Sequence, residues 1–210
     1  MLSTKYKINS HKDIIGNKEL FNSLLINASK LKSVHILYGG VGVGKSIYVK
    51  CLVESLRLTV LEFNAQTKRS LKCIKDEINK FVSYKSFDKE KCIIFDEFEV
   101  FVNEGVGAGS IIEELKGLDT IVIICVQDSV FTKVSKLCRN GTFNYYNIKP
   151  PEEGILVDYC KKICKKENIR RTKKDITQLV NKHIPDVRFI INSLYEVKTV
   201  KDTYSNDYKT

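Results

Sequence analysis

The run Gly39-Gly40-Val41-Gly42-Val43-Gly44-Lys45-Ser46 concentrates more chemistry than any other part of the sequence. Its glycines let backbone N–H groups turn toward an anion without a Cβ in the way. The loop follows an apolar run at residues 34–38 and opens a helical pattern at residues 46–56. That helix would point its positive end at the same anion. Lys45 is spaced to reach the β- and γ-phosphates, and the Ser46 hydroxyl to reach Mg²⁺. The full pattern predicts a cradle for a nucleoside triphosphate and its metal, with ATP as the expected ligand.

A second constellation follows from Cys92-Ile93-Ile94-Phe95-Asp96-Glu97, an apolar strand ending in two carboxylates. In a parallel sheet the carboxyl ends of strands line the ligand crevice. Asp96 would then hold the Mg²⁺ shell, and Glu97 would orient and polarise an attacking water. Val126-Gln127-Asp128 closes a further apolar run. Gln127 would lie near the γ-phosphate if that strand neighbours the one before the loop; otherwise it is an ordinary polar strand end. Arg188 reads either as a surface arginine or as a cation reaching back to the γ-phosphate.

The elements that must position these groups follow from hydrophobic periodicity. Apolar runs at 34–38, 58–63, 92–95 and 120–126 predict four strands. Helical patterns at 46–56, 70–82 and 111–118 separate them. Strands apolar on both faces and spaced by helices predict an α/β fold, a parallel sheet covered on both sides. Pro150-Pro151 marks a change of pattern. Beyond it come three helical segments at about 152–166, 173–182 and 186–197. The expected organisation is an α/β nucleotide-binding domain over 1–148, a three-helix lid over 149–198 and a polar tail over 199–210.

Composition narrows the class further. The 210 residues are 43% hydrophobic and 29% charged, as in soluble globular proteins. No apolar run approaches the roughly 20 residues of a membrane helix. Residues 1–12 lack the apolar core of a signal peptide. The expectation is an intracellular protein, of cytoplasm or nucleus, without a membrane partner. Seven cysteines, an odd number, suit a reducing compartment. The apolar neighbours of Cys51, Cys73, Cys92 and Cys125 predict buried free thiols. Cys160 and Cys164 share a helix face, but no second pair stands nearby to complete a zinc site. The net charge of +10 fits either a polyanionic partner or a basic solvated surface.

Taken together, these residues resemble the AAA+ ATPases, and within them the clamp-loader subunits of the replication factor C type. The similarity runs from about residue 5 to 194. Lys5-Tyr6-Lys7 resembles the short box that touches the nucleotide base, with Ile8 where the family has proline. Asp13-Ile14-Ile15-Gly16-Asn17 is similar to the box that packs on the adenine, which places Ile15 and Gly16 there. Leu61-Glu62-Phe63-Asn64-Ala65, followed by Arg69, is similar to a segment characteristic of these subunits. Asp186-Val187-Arg188-Phe189 resembles the sensor-2 motif, which assigns Arg188 to the γ-phosphate. Gln127 falls at the sensor-1 position, where asparagine is usual.

The stretch from residue 98 to 128 looks most like the large subunit. The Ser-Arg-Cys triplet with which small subunits complete a neighbour's site is missing from 136–142, where Arg139 is the nearby arginine. The resemblance therefore implies a subunit that receives its arginine finger from a neighbour and turns over slowly alone. It lacks the family's helical collar domain, which implies assembly through other contacts or a reduced, accessory form.

The implied partners are other clamp-loader-like AAA+ subunits in a hetero-oligomer, a sliding clamp, and primer–template DNA bound without sequence specificity. In the segment 70–82, Ile78, Phe81 and Val82 either anchor a clamp or pack on the sheet. Lys68, Arg69 and Lys72 either contact DNA phosphates or form a solvated face. A replication-initiator or regulatory AAA+ module, an ATP-controlled binding switch with little turnover, is the alternative. No winged-helix or helix-turn-helix pattern follows the lid to support it. A small-molecule kinase would explain Lys45 but neither the three-helix lid nor Arg188.

Overall fold

The fold is described from a computed structural model over residues 2–203, except 7, 9, 31, 65–69, 85–88, 104–106 and 140–141; side chains are described to residue 195. Lys7, Ala65, Lys68, Arg69 and residues 204–210, all of which carried expectations, lie outside the described residues.

Five parallel strands form one sheet. They are β1 (Val34–Gly39), β2 (Thr59–Phe63), β3 (Lys91–Phe95), β4 (Ile121–Gln127) and β5 (Phe143–Asn147), in the order β2-β3-β4-β1-β5. The central strand β4 explains why the sheet is dry on both sides. Its alternate residues Val122, Ile124 and Val126 enter one core, while Ile121, Ile123 and Cys125 enter the other. A period of two divides side chains between the faces of a strand.

The first core is covered by α4 (Leu71–Ser83), α5 (Glu99–Asn103), α6 (Ala108–Lys116) and α7 (Asp128–Leu137). The second is covered by α2 (Lys18–Lys30) and α3 (Lys45–Leu56), through Phe21, Leu24, Tyr48 and Leu52. Local chemistry sets several ends. The Ser70 hydroxyl accepts from Cys73 N at the start of α4, and α3 stops where Arg57 turns left-handed.

A third cluster lies in α8 (Glu153–Lys166), α9 (Lys173–His183) and α10 (Val187–Thr203). Thr172 and Asp175 form a reciprocal capping box at the start of α9. The N-terminal helix α1 (Leu2–Lys5) joins this cluster: Leu2 is buried in it, and α1 packs on α10. Residues 2–5 thus pack with the helices of the second unit, although the sequence reading grouped them with the α/β domain.

Several expectations need correction. The four-strand reading missed β5, whose sequence FNYYN has no apolar run because it lies at the sheet edge with partly buried side chains. Helices α2 and α7 were also unassigned. The last helix runs to Thr203, past the start expected for the tail. Cys73 is exposed, whereas Cys51, Cys92, Cys125, Cys160 and Cys164 are buried free thiols. Ile78 is fully buried on the sheet, and Phe81 and Val82 pack against the same core. Ile78 is therefore unavailable as a clamp anchor.

Ile124 is fully buried at the middle of β4. Ile124→Ala should cost about 2–5 kcal/mol, read as a lower urea midpoint with an unchanged slope.

Candidate functional site

The glycine-rich loop is shaped by close approaches that leave no room for side chains. A Cβ on Gly39 would fall 2.3 Å from the Ile148 carbonyl oxygen. Gly42 and Gly44 have φ of 75° and 103°, in the region that L side chains rarely adopt. A Cβ on Gly42 would also fall 2.4 Å from Asp186 Oδ1. The start of α10 therefore lies directly on the loop. Val43 is buried in the second core, while Val41 is 60% exposed at the loop tip. Gly40 lies beneath Pro185, with its would-be Cβ 3.4 Å from the ring.

Gly44 is the N-terminal cap of α3 and has no side chain to bond the first N–H groups of the helix. Those groups, with the helix dipole, favour an anion. Lys45 Nζ folds over the loop and donates to the Gly39 and Gly40 carbonyls, each at 2.8 Å. An ammonium held there lies over the loop that would receive phosphate. Ser46 is exposed in the first turn of the helix.

Strand register places the other groups on the same edge. Gly39 is level with Gln127, and Leu37 with Cys125. Phe95 is level with Ile124, so Asp96 follows beside Cys125. Since β1, β4 and β3 are parallel, Gly39, Gln127 and Asp96 all leave the sheet at its carboxyl edge. Two strand spacings, roughly 10 Å, separate β1 from β3.

The electrostatics of Cys125 report the same convergence. Burial first, and Asp96 next, push its thiol well above the ordinary range, while Lys45 pulls it down and Glu99 raises it. The buried sulfur thus lies near Lys45, near Asp96 of the β3–α5 turn and near Glu99 at the start of α5. That turn is tightly drawn: Asp96 N donates to Phe63 O, and Phe98 N to Cys125 O. Glu97 is exposed, with a left-handed φ of 56°. Glu99 is buried, and its Oε2 has no hydrogen-bond partner among the described residues. Sequence reading missed Glu99; its place one turn beyond Asp96 was the available signal.

Next to the loop, a cavity of about 360 Å³ opens between the sheet domain and the helical unit. That volume is in the range of small-ligand pockets. Ile14, Ile15 and Tyr48 form its sheet-domain wall, together with Gly42, Val43 and Gly44. Pro151, Tyr159, Arg188 and Ile191 line it from the helical unit. Tyr6 and Ile8 complete it from the N-terminus. Tyr48 donates to the Gly16 carbonyl at 3.1 Å, and burial pushes its hydroxyl up to about 12. Gly16 itself packs against Pro151, and the Asn17 amide donates to Lys149 O at 2.7 Å. A phosphate loop beside an apolar slot suits a nucleotide, the loop meeting its phosphates and the slot its base. Tyr6, Tyr48 and Tyr159 face that slot; of these, sequence reading had placed only Tyr6 near a base.

No three His, Cys, Asp or Glu side chains cluster as metal ligands among the described residues. Mg²⁺ needs no such cage, since it binds through one or two side chains with phosphate oxygens and water. Asp96, Ser46 and the orphaned Glu99 oxygen fit that donor set.

Comparisons with known proteins agree with this geometry. Residues 35–145 match the AAA family model, "ATPase family associated with various cellular activities". A protein of Acanthamoeba polyphaga mimivirus named as a replication factor C small subunit is 27% identical, over 93% of this chain and 60% of its own. The replication factor C small subunit of Methanococcus maripaludis is 24% identical, over 97% of this chain and 66% of its own. The large subunit from the same organism is 26% identical, over 93% and 42%. The chain therefore spans about two fifths to two thirds of the curated relatives it matches. Among solved structures, the Thermotoga maritima RuvB Holliday junction branch migration motor shares the fold. Its TM-score is 0.67 at 14% identity, over 96% of this chain and 68% of that one. No described helix is long and apolar enough to cross a membrane.

Three outcomes follow. Gly39→Ala forces its new methyl into a backbone oxygen, so it should lose about 1–3 kcal/mol of stability and weaken anion binding, read by thermal melts with and without triphosphate. Native protein at pH 8 should be alkylated at Cys73, while Cys92, Cys125 and Cys160 react only after unfolding. Burial raises the folded Cys92 and Cys160 thiols from 9.0 to about 12. Between those values the unfolded chain holds fewer protons than the folded one. Their stabilising contribution is therefore complete below pH 9 and declines toward pH 12, read as a falling melting temperature.

Proposed function

This chain belongs to the AAA family of ATPases, and we propose that its Gly39–Ser46 loop binds ATP with Mg²⁺ while Asp96 and Glu97 support hydrolysis. One observation carries this reading: β1, β4 and β3 are parallel and in a register that brings Gly39, Gln127 and Asp96 to one edge of the sheet, with Lys45 folded over the loop there.

Each residue has a distinct task. The loop amides and Lys45 hold the phosphates. Ser46 and Asp96 hold the metal, which when bound neutralises charge on the phosphate oxygens. Glu97, exposed at the turn after β3, accepts a proton from the attacking water. Gln127, level with Gly39, hydrogen-bonds that water or the γ-phosphate. Arg188 reaches the γ-phosphate from α10, beside Gly42 and Gly44 in the cavity wall. Ile15 and Gly16 flank the adenine. The domain division proposed is an α/β unit over 1–148 and a lid over 149–198, with the N-terminal helix docked on the lid.

The wider role proposed is that of a clamp-loader-like subunit in DNA replication. Its partners are other AAA+ subunits in a hetero-oligomer, a sliding clamp and primer–template DNA. Relatives named as replication factor C subunits, matched along nearly all of this chain, support that role. So does the net charge of +10, which favours salt-dependent contacts to phosphate backbones. An arginine finger from a neighbouring subunit would complete the site, making turnover slow in isolation. A cytoplasmic or nuclear location follows from that role.

ATP binding and hydrolysis should be measured for wild type, Lys45→Ala and Glu97→Gln, with and without primed DNA and a clamp. Lys45→Ala should lose ATP binding. Glu97→Gln should keep it and lose about 10²–10⁴-fold in turnover. Equal ATP affinity in wild type and Lys45→Ala would sink the assignment.

A further inference from the structure

The N-terminal segment, residues 2–6, is held by the helical unit yet faces the nucleotide cavity. Leu2 is buried among α8, α9 and α10 side chains. Ser3 N donates to Asn192 Oδ1 of α10 at 3.0 Å. The Tyr159 hydroxyl of α8 donates to the Tyr6 carbonyl at 3.3 Å. The strongest ties meet at Glu167, the residue that caps the end of α8. Its Oε1 accepts from the Tyr6 hydroxyl at 2.5 Å and pairs with Lys5 Nζ at 2.7 Å.

The same segment lines the cavity through Ser3, Thr4 and Tyr6, with Tyr48 and Gly44 of the sheet domain on other walls. Tyr6 therefore has two faces of use. Its hydroxyl is spent on the lid carboxylate, and its ring and backbone form part of the slot. The phosphate loop lines the same cavity through Gly42, Val43 and Gly44 but takes part in none of the hydrogen bonds or the ion pair that hold the strap. The ties that hold the strap are thus distinct from the loop amides and Lys45 that would meet the phosphates.

We propose that Glu167 is a positioning residue for the nucleotide base: through Tyr6 and Lys5 it fixes the N-terminal strap against the lid and so completes the base slot. This rests on the ATP reading above and adds a device to it. A base seated in the slot touches strap, lid and sheet domain together, so seating the base and docking the lid become one event. By linkage, whatever holds the strap on the lid raises base affinity, and a bound base holds the lid in turn. The hydrogen bond from Tyr6 lifts its partner's preference for the ionised form: Lys5 and then Tyr6 hold Glu167 below the usual carboxylate range. The Tyr6 phenol is pushed up to about 12, chiefly by that bond. Donor and acceptor therefore keep their roles across neutral pH.

The test separates base from phosphate recognition. Dissociation constants for ATP and for inorganic tripolyphosphate are measured by calorimetry on wild type, Tyr6→Phe, Glu167→Gln and the double variant, with circular dichroism confirming the fold of each. Both single changes keep the shape of the side chain. Each single variant should bind ATP roughly three- to tenfold more weakly, and the double variant no more weakly than the worse single one. Tripolyphosphate affinity should stay at the wild-type value. Unchanged ATP affinity in both single variants, or equal losses for ATP and tripolyphosphate, would overturn the proposal while leaving the ATP reading intact. A wild type that binds neither ligand would overturn both.

Discussion

A strand buried on both faces can leave a polar side chain free for chemistry only at its ends. Burial of an unpaired polar group costs several kcal/mol, so the interiors of β3 and β4 are apolar, and the buried His35 of β1 is paired with Ser33 and Tyr146. Their parallel direction then collects the permitted polar positions on one edge. Gly39, Gln127 and Asp96 share that edge for this reason. The site is thus a by-product of how the sheet excludes water, with the glycine loop adding the anion-binding N–H groups of α3.

The second consequence is mechanical. The loop is packed so closely that two of its glycines touch other parts of the chain where a methyl would not fit. Gly39 abuts the segment that leaves β5, and Gly42 abuts Asp186 at the start of α10. The loop and the start of the helical unit therefore meet at the same few atoms. Arg188, the second residue of α10, lines the cavity beside that contact. The N-terminal strap adds a second bridge on the far side of the cavity, through Glu167.

Much of the fold was legible because its signals are local. The four apolar runs, the glycine spacing and the Pro150-Pro151 break each encode one element by periodicity or backbone freedom. What escaped depended on neighbours. β5 has no apolar run because an edge strand buries only part of its surface. Cys73 has aliphatic neighbours in sequence, yet it lies on the outer face of α4. Ile78, weighed as a contact for a partner, lies on the inner face and is consumed by the core.

The sequence alone determined the glycine-rich loop, the acidic strand end and the α/β class, since each is written in contiguous residues whose types imply their backbone. Only tertiary structure decided which strand ends adjoin, and hence that Gln127 is level with Gly39. It alone brought Tyr6 to Glu167, 161 positions apart. It alone left the Glu99 oxygen buried with no hydrogen-bond partner among the described residues. Those facts depend on strand order and on the docking of helices, which arise from burial summed over the whole chain and leave no mark in any short segment.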